Sequence, residues 1–348
     1  MNANKHESKA PCSIRVYLCL SVAVFLPVLT GCQSLGRTPA WVANPKAVYP
    51  ESAYLVSVGA GDTRRAAENA AAANLSRIFE AHIESDERLL DQVHERGKHV
   101  ERTTTFTADI NILSAQTLYN VQHAEAWQDR NGRYHAVAYL DRGETGGIYR
   151  GKINEQTTRV EFLLGHAEQT DGLLKKYALL RAANQHAAEN LRLLRQLKVI
   201  HPRAVASATP AYSTNELRKA LADTAQQIRV KIRIAGDDER RMVSCLEELI
   251  TRYGFVVGQP AVLEVDGRVS VTDTRQRAFG IVFVRYELAL QIKDAGGSVL
   301  ATLNNKGREG HVSLAEARVR SFRTLENAIN TSGAQHFDHY FDSLIELP

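Results

Sequence analysis

The 348-residue chain reads as α+β: two small sheet-and-helix domains joined by a helical hairpin, behind a cleaved leader. Three observations predict this. Short stretches of strict two-residue alternation, such as Ile228, Val230, Ile232 and Ile234, stand beside segments with apolar residues at three- and four-residue spacing. The longest helical pattern, Val160 to Ile200, is interrupted at Asp171-Gly172 and lies between two groups of strands. Apolar residues make up 44% of the chain and charged residues 24%, which is ordinary globular composition at a length that suits two domains.

Residues 1–31 read as a signal peptide. Lys5, Lys9 and Arg15 form a basic leader, and Val16 to Leu29 is almost wholly apolar. A membrane-spanning helix needs about 20 apolar residues; this run is shorter and contains Pro27. It ends in Leu29-Thr30-Gly31-Cys32, the pattern of a bacterial lipoprotein cleavage site. Cleavage before Cys32 frees its thiol for a diacylglycerol, and further acylation of its amine makes the anchoring stable. Gln33 and Ser34 stand where inner-membrane lipoproteins often carry aspartate, so the resemblance to that class points to the outer membrane, with the folded body facing the periplasm.

Cysteine usage agrees with this address. Cys12 and Cys19 lie in the leader, leaving Cys245 with no intramolecular partner once Cys32 is acylated. Cys245 falls on the apolar stripe of an expected helix and reads as a buried packing residue. The formal net charge is +4, and no block of like charges forms a basic arm, so nucleic acid is not an expected partner.

Residues 32–51 hold Pro39, Pro45 and Pro50 without periodicity and are expected to form an extended tether. Trp41 and Val42 either lie in the headgroup layer or pack on the first domain, the latter being favoured. That domain, 52–150, opens with a strand at Tyr54, Val56 and Val58 and a Gly59-Ala60-Gly61-Asp62 turn. Asp62 is the expected N-cap of an alanine-rich helix reaching about Gln92, although Ile83 to Val93 fits helix or strand. Asn131-Gly132 marks a hairpin between Ala124–Trp127 and Tyr134–Leu140. Gly59 and Gly61 invite a phosphate-binding reading with Arg64 and Arg65, but the third glycine of a dinucleotide fingerprint and the Gly-Lys-Ser/Thr of a P-loop are missing.

These residues carry a resemblance. Pro39-Ala40-Trp41-Val42, Val58-Gly59-Ala60-Gly61, the alanine-rich helix, Trp127-Gln128-Asp129 and Tyr134 to Arg142 are similar to the LPP20 lipoprotein family, a FlgP/FlgT-like envelope lipoprotein domain. The resemblance covers about residues 39–150. It implies an α/β domain on an outer-membrane lipoprotein, no family-wide catalytic residue, and a role in envelope architecture or in assembling a surface machine.

Residues 151–201 read as a helical arm whose apolar stripe closes on itself as an antiparallel pair or, less favoured, docks a partner. Residues 202–212, with Pro202 and Pro210, read as a linker. In 213–348, Ser213 to Glu216 is a capping box, Gly254 a helix stop and Ser313 to Glu316 a second capping box. Strands are expected at 228–234, Ala261–Thr272, Phe283–Lys293 and Val299–Asn304, with Gly296-Gly297 as a turn. The expected order is βαβββα, helices on an antiparallel sheet, similar at fold level to TolB amino-terminal domains. Arg229, Lys231 and Arg233 form a basic stripe that faces either solvent or peptidoglycan carboxylates.

No Gly-x-Ser-x-Gly or His-Glu-x-x-His is present, and His336 and His339 read as helix surface. The expectation is a non-enzymatic lipoprotein without cofactor or metal, anchored through Cys32 and bound to another envelope protein. The alternative is a regulatory lipoprotein that binds peptidoglycan or activates a cell-wall enzyme.

Overall fold

The computed structural model describes residues 38–96 and 118–345, the side chains of 84–96 excepted. The chain begins with two single-turn helices, α1 (Ala40–Ala43) and α2 (Pro45–Val48), followed by β1 (Tyr54–Gly61) and α3 (Arg64–Arg96). Strands β2 (Gln122–Gln128) and β3 (Tyr134–Asp141) complete an antiparallel sheet in the order β1-β3-β2, with Val58 opposite Val137. The tether expected up to residue 51 is therefore folded from its described start. Trp41 is only 3% exposed and packs with Val56 and Val137 on one face of the sheet, because an indole gains too much by burial to be left in a strap.

Helix α3 covers the opposite face. Ala67, Ala71, Leu75 and Phe79 recur every four residues and are fully buried, which puts them on one stripe. The helix sits so close to β1 that a Cβ at Gly59 would lie 2.1 Å from the amide nitrogen of Ala71, and one at Gly61 2.7 Å from the Ala66 Cβ. Ser57 fastens the contact by donating to the Ala71 carbonyl at 2.5 Å. The cap is Thr63, whose Oγ1 accepts the Ala66 amide at 3.1 Å, and not Asp62, which stands one position too early. Residues 83–93, left open between helix and strand, continue the helix. At the β2–β3 hairpin Gly132 takes φ +82°, and the Asp129 carboxylate accepts the amides of Asn131 and Arg133.

The arm is a pair of antiparallel 28-residue helices, α4 (Arg142–Gln169) and α5 (Leu173–Ile200). Helix α4 starts well before Val160, directly after β3, so position 150/151 lies inside it. Gly143, Gly146, Gly147 and Gly151 hide this start in the sequence, since glycine disfavours helix. The helix forms there because Asp141 caps the Glu144 amide at 2.8 Å and because Gly146 gives room to His201, whose Cβ would be 2.9 Å from an added methyl. Halfway along the pair, buried Asn190 donates to the hydroxyls of Thr157 and Tyr212, each at 2.9 Å, and fixes the register of the two helices.

Residues 202–212 are not a free linker. A 3-10 turn (Pro202–Ala204) and α6 (Val205–Ala208) return to the first core, where Ala204 and Ala208 are buried. The second sheet then follows, with α7 (Thr214–Gln227), β4 (Arg229–Ala235), α8 (Arg241–Arg252), β5 (Val256–Val257), β6 (Leu263–Ala278), β7 (Ile281–Asp294), β8 (Val299–His311), α9 (Leu314–Ala328) and α10 (Ala334–Ser343). The strand order is β5-β4-β6-β7-β8. It is mixed rather than antiparallel, because α8 carries the chain over so that β4 runs parallel to β6. A π-helical turn at Ile329–Gly333 separates α9 from α10. Both capping boxes form, with Ser213 accepting the Glu216 amide and Ser313 that of Glu316. Gly254 stops α8 at φ +79°. One face of the sheet packs on α8 and α9 through Met242, Leu246, Val265, Leu288 and Leu325, while the other stays wet.

Two substitutions probe this arrangement. Gly59→Ala is expected to cost about 3 kcal/mol by forcing α3 off β1. Leu197→Ala, at a fully buried site of α5, is expected to cost about 3 kcal/mol. Both are measured by urea denaturation.

Candidate functional site

Leu29, Thr30, Gly31 and Cys32 lie outside the described residues. The described residues include no helix long and apolar enough to cross a membrane. The other residues singled out in the sequence are split between the two sheets and do not converge on one site. Arg64 and Arg65 are exposed on the first turn of α3, and Arg64 Nε donates to Glu68 at 2.8 Å. The neighbouring glycines form no anion cradle: the space above Gly59 and Gly61 is filled by α3 from Ala66 to Ala71. The Gly-x-Gly signal reports a close helix–strand approach.

The basic stripe of β4 is answered within its own sheet. Arg233 binds Asp266 through Nε and Glu264 through Nη2, both at 2.8 Å, and Lys231 lies 3.5 Å from Glu264. Lys293 reaches Asp266 at 3.2 Å, and the hydrogen bond from Arg233 leads in holding the Asp266 carboxyl below its usual range. The parallel register sets Lys231 opposite Glu264 and Arg233 opposite Asp266, so these carboxylates occupy the place proposed for those of peptidoglycan. Arg229 is exposed at the start of the strand.

Cys245 is buried on α8, 3.7 Å from the Glu326 carbonyl, and burial pushes its thiol up to about 11. His336 and His339 are exposed on α10, and among the described residues no three His, Cys, Asp or Glu side chains are grouped to hold a metal. An open cleft of about 480 Å³ is lined by Glu51, Ser52, His82, Arg142, Lys198 and Pro202. Arg142, its central cation, is committed to structure. It donates to the carbonyls of Glu51 and Tyr54 through Nε and to those of Val199 and Ile200 through Nη1, capping the end of α5.

The exposed feature that sequence reasoning passed over is the end of the β6–β7 hairpin. Pairing runs on past a bulge between Asp273 and Arg277 to Ala278 opposite Ile281, beyond the limits expected for either strand. Phe279 and Gly280 make the turn with φ +51° and +76°, the type I′ signs. Phe279 is fully exposed, and Val312, at the same end of the ribbon, is 71% exposed. Basic side chains flank this end: Arg275 is exposed, and the Arg308 guanidinium lies 4.7 Å from the centre of the Phe283 ring. Gly280 was the available signal, but Phe-Gly lacks the Asn or Asp that usually marks such a turn.

The thiol environment gives a direct check. Because its pKa is raised, neutral Cys245 contributes stability below the ordinary value of 9.0, and this is lost as pH rises through about 11. A chain starting at Gln33, in which Cys245 is the lone cysteine, is expected to resist a thiol reagent at pH 8 when native and to react fully in urea.

Among solved structures, the secreted protein HP1454 from Helicobacter pylori overlays with a TM-score of 0.43 at 16% identity, covering 83% of this chain and 98% of its own. A minor lipoprotein from Acinetobacter baumannii overlays with a TM-score of 0.23 at 14% identity, covering 33% of this chain and 90% of its own. Scores this low do not define the fold, which rests on the elements described above. No curated protein matches the chain. The family comparison does find a match: residues 39–141, from the start of α1 through β3, fit the model of the LPP20 lipoprotein family.

Proposed function

We propose that the protein is a lipoprotein of the outer membrane, acylated at Cys32 and facing the periplasm, and that it acts without catalysis as a scaffold or assembly factor for an envelope complex. The LPP20 match carries this reading. It begins at residue 39, seven positions after the cysteine of the Leu29-Thr30-Gly31-Cys32 motif, so anchor and family domain are contiguous. Trp41, buried on the first sheet, is nine positions from Cys32, which limits the strap to about 30 Å when fully extended. Such a strap holds the first sheet next to the membrane.

The partner in this reading is another envelope protein. Peptidoglycan is the weaker alternative, because Lys231 and Arg233 already face Glu264 and Asp266. Nucleic acid is no part of this reading, since the sequence carries no block of like charges that would form a basic arm.

Labelling with radioactive palmitate, followed by separation of inner and outer membranes, tests the anchor. The wild type is expected to carry label in the outer-membrane fraction and Cys32→Ala to carry none. Label that persists in the variant would sink the assignment. Crosslinking in intact envelopes then tests the scaffold, with one or more envelope proteins expected to be recovered and an unmodified monomer counting against it.

A further inference from the structure

We propose that the end of the β6–β7 hairpin is a second membrane contact, in which Phe279 enters the interfacial layer of an anionic bilayer and Arg275 and Arg308 meet its headgroup phosphates. The first argument is conformational. Phe279 is fully exposed and holds φ +51° at a turn position that asparagine or glycine would occupy with less strain. A bulky aromatic residue there is unfavourable for the turn and for hydration alike, and a membrane interface is an apolar surface that would offset both costs.

The second argument is the shape and character of the projection. The turn is convex, and Val312 extends the apolar end beside it, while Ile281 and Phe283 pack over Gly310 just behind. Aromatic side chains on a narrow projection suit the headgroup region, which yields around them and leaves long basic side chains free to reach phosphate.

The third argument is charge. Residues 273–287 and 306–312 contain five Lys or Arg against three acidic residues, Asp273, Glu287 and Glu309, with Glu287 opposite Lys306. Arg277 takes up Asp273 at 2.9 Å, and Thr324 donates to Glu309 at 3.0 Å. Arg275 and Arg308 form no ion pair among the described residues; Arg308 Nη1 instead donates to Gln276 Oε1 at 2.8 Å, which draws it toward the turn. The uncompensated charge is therefore positive and borders the exposed ring, complementary to phosphatidylglycerol or another anionic lipid.

This goes beyond the anchoring at Cys32 and is tested without it. The chain starting at Gln33 contains every described residue and lacks the acylated cysteine. It is expected to float with vesicles of phosphatidylethanolamine and phosphatidylglycerol, to release them as salt is raised, and to ignore phosphatidylcholine vesicles. Arg275→Glu and Arg308→Glu are each expected to weaken partitioning by about fivefold or more. Phe279→Asn is the decisive variant, because it supplies the Asn-Gly pair that a type I′ turn prefers. It is expected to keep or raise the thermal midpoint while losing most of the vesicle-bound fraction, so that misfolding cannot explain the loss. Failure of the wild type to float with anionic vesicles, or flotation of Phe279→Asn at the wild-type level, would overturn the proposal. It would also be overturned if a photocrosslinking residue at position 279 captured a protein and no lipid in intact cells.

Discussion

The packing of α5 is the interaction on which the rest of the structure depends. Leu193, Leu197 and Ile200 near its C-terminus are buried in the core of the first sheet, whereas Tyr177 and Ala178 near its N-terminus are buried in the core of the second. Between them Leu179, Leu180, Ala183 and Ala187 close on Val160 and Leu163 of α4. A helix of 28 residues is about 42 Å long, so one rigid element spans both sheets. Arginines tie it to its surroundings in two ways: Arg142 donates to its last carbonyls, and Arg181, in its first third, forms an ion pair with Asp338 of α10 at 2.6 Å. Small sheets bury a modest share of their surface alone, and the two ends of α5 add Leu193, Leu197 and Ile200 to one core and Tyr177 and Ala178 to the other.

The first sheet adds a constraint of its own. Alanines on α3 and glycines on β1 bring two backbones closer than ordinary side chains allow, so this contact depends on the absence of atoms. Trp41 and α3 cover opposite faces of a sheet whose central strand, β3, buries Ala136, Val137, Ala138 and Leu140. That places a folded wall from Ala40 onward, where composition alone suggested a strap.

Legibility in the sequence followed the range of the interactions. Features made within a few residues could be read directly, among them the boxes at Ser213 and Ser313, the stop at Gly254 and the Asn131-Gly132 hairpin. Features decided by distant partners could not. Pro39 to Glu51 and Pro202 to Tyr212 resemble connectors until Trp41, Ala204 and Ala208 find their cores. Four glycines concealed the start of α4 because its support comes from His201, far along the chain. The carboxylates that neutralise Arg233 are more than 30 residues away, and only the parallel crossover through α8 brings them opposite. The exposed turn at Phe279 escaped because its turn chemistry is atypical, and that same departure singles it out once the backbone is known.

Burial of Trp41 has an optical consequence. The chain contains two tryptophans, and the other, Trp127, packs against the same cluster of Val56 and Val137. Intrinsic indole emission therefore reports on one face of the first sheet and is blind to the second, whose aromatic residues are tyrosines and phenylalanines. Emission observes one part of the molecule and far-ultraviolet dichroism the backbone of the whole, and α5 is the element that would make their transitions coincide.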